Sequence, residues 1–174
     1  MGERHNVVPG CATALIEGEA DACDHINSLA REMTLDVEAT PAEGGILLTA
    51  TGINGHAAYP DMARNAIGVL LLMLRALGVT GPLKTLADTI GLEYDGASLE
   101  VGCSDKTSGS LTCNLGVMRY DDTGLYAELD FRYPLLANGE RIASTVATTL
   151  GSDIETKITI HKTPHHDQGE YGAV

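Results

Sequence analysis

Basic and aromatic residues are scarce in this sequence. Eleven Lys and Arg stand against 24 Asp and Glu, which gives a formal net charge of −13. Such a surface repels nucleic acids and anionic membranes, so neither is expected as a partner. With one Phe, six Tyr and no Trp, the core must be built from aliphatic side chains, as expected for helices packed on a sheet.

Signals for disulfides, secretion and membrane insertion are also missing. The four cysteines contain no C-x-x-C pair and the first residues lack an apolar signal core, which predicts a reduced, cytoplasmic protein. The longest strongly apolar run, residues 67–77, is shorter than the roughly 20 residues of a membrane-spanning helix. A hydrophobic content of 44% over 174 residues suits one buried domain or two small lobes that share a core.

Apolar spacing in the first half predicts the order β-α-β-β-α. Residues 12–17, 35–39 and 45–51 are typical of strands, and turn chemistry at residues 41–45 joins the last two into a hairpin. Helical spacing covers residues 22–33 and 67–77, and Gly78 closes the second helix. A weaker helix is predicted over residues 81–95, beginning at Pro82.

The second half predicts the order β-β-α-β after a polar, Gly-rich connector. Residues 111–120 and 125–133 flank a D-D-T-G turn and form the clearest hairpin. Asn138 is predicted to cap a helix that ends at Gly151, and residues 154–160 alternate as a last strand. The prediction is an α+β fold of ferredoxin-like antiparallel lobes with helices layered on one face. We assign a first lobe to residues 1–95, a connector to 96–110, a second lobe to 111–164 and a tail to 165–174.

Three ordered motifs resemble one enzyme family. They are R-H-N-V-V-P at residues 4–9, G-I-N-G-H-A-A-Y-P at 52–60 followed by N-A-I at 65–67, and D-F-R-Y-P at 130–134. The second resembles the lid-domain signature of co-catalytic zinc exopeptidases, which include carboxypeptidase G, acetylornithine deacetylase and succinyl-diaminopimelate desuccinylase. The other two are similar to the peptidase V and carnosinase-like dipeptidase branch. Two positions depart from the family pattern: Gly55 stands where Ser or Ala is commoner, and Ala63 where Gly is usual.

The resemblance implies that this chain is a lid (dimerisation-type) domain inserted in a larger dipeptidase. The expected partner is a catalytic domain of the same polypeptide, which holds two zinc ions, and the expected substrate is a dipeptide. No metal site is expected in this chain, so the chain alone is expected to be inactive. Whether the isolated lid forms a homodimer stays open.

His56 is the first candidate site residue. By resemblance it hydrogen-bonds the scissile carbonyl oxygen and stabilises the oxyanion; the alternative is a surface-loop histidine. Asn6 is implied to polarise the substrate or bind its carboxylate, and the alternative is a turn or capping role before Pro9.

Arg132 is the second substrate-binding candidate, on the polar face of its strand. Its guanidinium suits a bidentate pair with the free carboxylate of a dipeptide. The alternative is an ordinary surface ion pair with Asp130 or Glu128, which share that face.

Other polar residues favour structural roles. Asn65 is interpreted as a helix cap or loop brace, and Thr112 and Asn114 as cross-strand structural residues. The C-terminal group His161, His165, His166 and Asp167 has poor spacing for a metal, since four extended residues span roughly 13 Å.

Two other function classes remain open on the sequence. One is a free-standing ferredoxin-like module that binds a small effector or self-associates. The weaker one is an independent metalloprotein that uses the C-terminal histidines. Flanking segments with H-x-D and Glu-Glu motifs in the full gene would favour the lid over the free-standing module, and metal titration of a His165→Ala, His166→Ala double mutant tests the metalloprotein.

Overall fold

A computed structural model describes residues 5–58 and 60–157, without the side chain of Asp61. Within these residues, antiparallel strands and four helices form an α+β fold, as predicted. None of the described helices is long and apolar enough to cross a lipid bilayer. The strands are β1 (Val7–Val8), β2 (Cys11–Ile16), β3 (Val37–Ala42), β4 (Gly45–Thr51), β5 (Gly55–His56), β6 (Ser104–Asp105), β7 (Gly109–Ser110), β8 (Thr112–Asp121) and β9 (Gly124–Arg132). The helices are α1 (Ala22–Glu32), α2 (Ala66–Ala76), α3 (Pro82–Thr89) and α4 (Gly139–Leu150), and Pro60–Met62 form a 3-10 turn.

The main sheet has the strand order β2-β4-β3 and is antiparallel throughout. It confirms the predicted hairpin between the second and third long strands, but its turn is tighter than predicted. β3 continues through Pro41, which lies opposite Ile46, and the chain reverses between Ala42 and Gly45. Proline is tolerated here because β3 is an edge of this sheet, where the missing N–H group can face away from β4.

Helix α1 lies on this sheet through an apolar stripe of Cys23, Ile26 and Ala30. The Asn27 side chain of α1 also forms hydrogen bonds with the edge strand β3. Nδ2 of Asn27 donates to the Ala39 carbonyl at 3.0 Å, and Oδ1 accepts from the Ala39 N–H at 2.7 Å. The predicted helix is therefore confirmed, with its tertiary position set by both apolar and polar contacts.

Helix α2 is the centre of the core, and most of its residues are buried. It contacts β2, β4, α3 and β8, which explains why its sequence is apolar on nearly every side. A Cβ on Gly68 would lie 2.0 Å from the Gly91 carbonyl oxygen, so a glycine is needed for this close backbone approach. Gly91 has a left-handed φ of 46° just after α3, and the predicted helix over 81–95 accordingly ends early, at Thr89.

The second half follows the predicted order as far as α4. Hairpin β8–β9 turns between Asp121 and Gly124, and Asn138 Oδ1 caps α4 by accepting from the Arg141 N–H at 3.0 Å. Gly151 ends that helix with a φ of 82°. The predicted connector contains the short hairpin β6–β7. The predicted last strand is wrong over residues 154–157, which form none, and residues 158–160 lie outside the described chain.

One buried apolar cluster includes residues from both predicted lobes. Leu48 of β4 and Leu70 of α2 belong to it, and so do Leu115 of β8 and Ile142 of α4. In the described residues the two halves thus share a core. The proposed lobe boundaries stay a prediction.

Candidate functional site

A two-stranded ribbon brings the N-terminal motif next to the histidine motif. In this β1–β5 ribbon, Val7 lies opposite His56 and Val8 opposite Gly55. Immediately beyond it, the Asn6 carbonyl accepts a hydrogen bond from the Ala57 N–H at 3.2 Å. Asn6 and His56, which belong to separate motifs in the sequence, are therefore close neighbours in the structure.

The His56 side chain is exposed, and one of its ring nitrogens has a defined partner. Nδ1 accepts a hydrogen bond from the Ala58 N–H at 3.2 Å. In a neutral imidazole an accepting Nδ1 leaves the proton on Nε2, which makes Nε2 a donor. This is the tautomer that an oxyanion-stabilising histidine requires, although exposure alone also suits a surface-loop histidine.

Close backbone contacts hold the loop that carries the histidine motif. Ile53 and Arg64 form an antiparallel bridge, with N–H to carbonyl distances of 2.8 and 3.0 Å. A Cβ on Gly52 would lie 2.1 Å from the Arg64 carbonyl oxygen. The first glycine of the G-x-x-x-H motif therefore allows the two ends of the loop to meet.

Asn65 has the structural role that the sequence suggested. Its Oδ1 accepts from the N–H groups of Ile67 at 2.9 Å and Gly68 at 3.3 Å, which caps α2. Its Nδ2 donates to the Leu115 carbonyl at 2.8 Å and to Asn114 Oδ1 at 3.2 Å. Only 3% of Asn65 is exposed, so this residue braces the start of α2 against β8.

Asn114 connects the hairpin β8–β9 to the N-terminal segment. It is 1% exposed, lies opposite Asp130, and its Nδ2 donates to the carbonyls of His5 and Val7. A second contact between the same segments places His5 Nδ1 3.8 Å from Glu128 Oε2. The predicted cross-strand role of Asn114 is therefore incomplete, because this side chain binds a third strand, β1. An asparagine within the otherwise apolar stretch 113–118 of this strand was the sequence signal for such a contact.

Arg132 lies at the end of β9, opposite Thr112, and not in the β1–β5 ribbon. Its Nε donates to Asp130 Oδ2 at 3.2 Å, and its side chain is 41% exposed. The local ion pair considered from sequence is thus present. Recognition of a substrate carboxylate by Arg132 stays a prediction.

Two other ionisable side chains lie near the site: Tyr94, which is half-buried, and Cys113, which is buried. Tyr94 Oη accepts from the Asn65 N–H at 2.7 Å, and burial raises the pKa of the Tyr94 hydroxyl. Burial also raises the pKa of the Cys113 thiol far above its usual range. A protonated, buried thiol is unreactive, so Cys113 is a core residue and not a nucleophile.

Metal binding finds no support among the described residues. Within residues 5–58 and 60–157, no three His, Cys, Asp or Glu side chains are grouped so that they could hold a metal ion. The C-terminal group of His161, His165, His166 and Asp167 lies outside the described residues.

Proteins described as dipeptidases are similar to this chain, although no protein-family model matches it. The chain is 29% identical over 181 aligned positions to "Putative dipeptidase YtjP" of Bacillus subtilis (strain 168), covering 99% of this chain and 38% of that protein. It is 27% identical over 142 positions to a "Putative dipeptidase" of Staphylococcus epidermidis (strain ATCC 12228 / FDA PCI 1200), covering 76% of this chain and 30% of that protein. These similarities support a dipeptidase-like family. The chain spans well under half the length of both relatives.

Proposed function

We propose that this chain is the substrate-gripping lid domain of a zinc-dependent dipeptidase. The observation that carries the proposal is the β1–β5 ribbon, which places Asn6 and the exposed His56 side by side. Val7 and His56 share one face of the ribbon and Asn6 and Ala57 the other. The ribbon thus fixes the spacing of the two backbones, and the exposed His56 is the side chain that it would present to a substrate. The dipeptidase descriptions of the relatives and their greater length support a catalytic domain elsewhere in the same polypeptide.

The proposed task of this ribbon is to polarise the scissile peptide bond. Hydrolysis builds negative charge on the carbonyl oxygen, and a donor placed at that oxygen lowers the barrier. His56 would donate through Nε2, because Nδ1 is the acceptor for the Ala58 N–H. Asn6 would add a neutral amide donor that introduces no competing charge. When bound in the catalytic domain, two zinc ions supply an activated water.

The proposed task of Arg132 is to recognise the free C-terminal carboxylate of the dipeptide. Its ion pair with Asp130 engages Nε. The edge formed by the two Nη atoms is the second edge at which a guanidinium binds a carboxylate in bidentate fashion. In this arrangement Asp130 orients the arginine, and the two roles considered from sequence are compatible.

The first test compares the chain with the full-length protein. We expect the purified 174-residue chain to hydrolyse no dipeptide even with added Zn²⁺, whereas the full-length protein hydrolyses dipeptides. Enzyme-like turnover by the chain alone would contradict the lid assignment. A full-length protein that binds a small effector and hydrolyses nothing would favour the free-standing module.

The second test changes the histidine in the full-length protein. We expect His56→Ala to lower kcat about 100-fold, as for the loss of an oxyanion donor, with the zinc content unchanged. His25→Ala is the matched control, because His25 is an exposed histidine on α1. An unaltered kcat in His56→Ala would identify His56 as a surface-loop histidine.

A further inference from the structure

One buried amide holds the two peptide carbonyls that flank Asn6. Nδ2 of Asn114 donates to the His5 carbonyl at 2.9 Å and to the Val7 carbonyl at 3.0 Å. The carbonyl between them, that of Asn6, accepts instead from the Ala57 N–H at 3.2 Å. Of these three successive carbonyls, the first and third therefore bind the Asn114 side chain, and the second binds the N–H of Ala57, the residue after the candidate histidine. Hydrogen bonds before, at and after Asn6 therefore fix the backbone around this residue.

The orientation of the Asn114 amide is itself fixed. Its Oδ1 accepts from Asn65 Nδ2 at 3.2 Å, so a flipped amide would place two donors against each other. Asn65 is held in turn, because its Oδ1 caps α2 and its N–H donates to Tyr94 Oη at 2.7 Å. A chain of hydrogen bonds thus runs from the start of α2 through two buried amides to β1.

The ribbon needs such external support. β1 and β5 are two residues long, and an isolated two-stranded pair is marginal in water even when it is longer. Asn114 is 1% exposed, and both N–H groups and the oxygen of its amide are used inside the protein. It cannot contact a substrate without losing these bonds, so its action on a substrate must be indirect.

We propose that Asn114, oriented by Asn65, is a positioning residue that sets Asn6 and His56 in their relative places. The catalytic consequence of this inference rests on the proposed function. The geometric part does not, and it is tested on the chain itself.

The geometric test is amide hydrogen exchange measured by NMR. We expect the Ala57 amide to be protected in the unsubstituted chain, and Asn114→Ala to speed its exchange about tenfold or more while the Leu48 amide of β4 is much less affected. The matched control is Asn27→Ala, which also removes two side-chain bonds to one backbone segment, at Ala39. This control should leave Ala57 protected.

Three results would overturn the geometric part. They are an unprotected Ala57 amide in the unsubstituted chain, an unchanged Ala57 rate in Asn114→Ala, and equal acceleration of Ala57 and Leu48. The first of these does not depend on whether the variant folds.

The catalytic test is a double-mutant cycle in the full-length protein. We expect Asn114→Ala to lower kcat about tenfold or more with zinc content unchanged, and to cost less in a His56→Ala background, because it acts partly through His56. Additive losses would overturn the positioning role. If the unsubstituted full-length protein hydrolyses no dipeptide, the proposed function fails, while the exchange data still decide the geometry.

Discussion

Gly55 faces Ala63 across the loop before α2: a Cβ on Gly55 would lie 2.5 Å from the Cβ of Ala63. Two methyl groups do not fit there, so only one of the positions can hold a side chain. These are the two positions at which the chain departs from the pattern of the family that it resembles. Gly55 stands where Ser or Ala is commoner, and Ala63 stands where Gly is usual. The two departures therefore compensate for each other and keep the backbone spacing beside His56.

This contact predicts that Ala63→Gly offsets the loss of stability caused by Gly55→Ala. Gly55→Ala should destabilise the chain by about 1–3 kcal/mol through overpacking, since Gly55 has no left-handed φ to preserve. Adding Ala63→Gly should recover most of that loss, although Ala63→Gly alone costs up to about 1 kcal/mol. Urea unfolding of the four proteins measures the coupling, and additive effects would contradict the contact.

The two asparagines that cap helices, Asn65 and Asn138, should contribute differently to the free energy of unfolding. Asn138 caps α4 at the surface, so Asn138→Ala should cost about 1 kcal/mol in unfolding free energy. Asn65→Ala should cost about 3 kcal/mol, because it also removes buried hydrogen bonds to Leu115 and Asn114. Thermal or urea unfolding of both variants compares them directly. Equal losses would show that the buried bonds add nothing to stability.

Arg132 should act on binding more than on turnover. In the full-length protein we expect Arg132→Ala to raise KM about tenfold or more for dipeptides with a free C-terminal carboxylate, and to change little for their C-terminal amides. Asp130→Asn is the comparison variant: it removes the ion pair that orients Arg132 but keeps the guanidinium, so it should raise KM less than Arg132→Ala does. An unchanged KM in Arg132→Ala would leave the arginine as a surface ion-pair partner.

Asp105 should titrate at unusually low pH. The Ser108 hydroxyl and the N–H groups of Ser108 and Thr107 donate to its carboxylate and lower its pKa to about 2. Since the folded-state pKa is depressed, the stabilisation is complete above the unfolded-state pKa of about 3.9 and is lost as the pH falls through about 2.

NMR titration of the Asp105 carboxyl carbon checks this assignment. Ser108→Ala should raise the Asp105 pKa toward the ordinary range, because it removes the hydroxyl that makes the largest contribution. Thr123→Ala is the control, since Thr123 makes the corresponding contacts with Asp121. A shift of Asp105 in the control, or none in Ser108→Ala, would refute the assignment.

Local signals explain what was predicted correctly about the fold. A turn sequence between two alternating strands predicts the hairpin β8–β9, and Asn138 predicts the cap of α4. Both signals act over only a few residues. The turn predicted over residues 41–45 is tighter in the structure, because Pro41 is accommodated in β3. The position of β3 at a sheet edge depends on residues far along the chain. The early end of α3 similarly reflects the approach of Gly91 to Gly68.

The sequence by itself determined the α+β class, the order of most elements and the identity of the candidate residues, because periodicity, turn chemistry and motifs are local. Only the tertiary structure decided that Asn6 lies beside His56, that Asn114 binds the carbonyls around Asn6, and that Gly55 faces Ala63. The first two contacts join segments that are distant along the chain, and the third closes the loop before α2. They form because α2 and β8 pack in one buried core and bring the N-terminal segment and the histidine loop together.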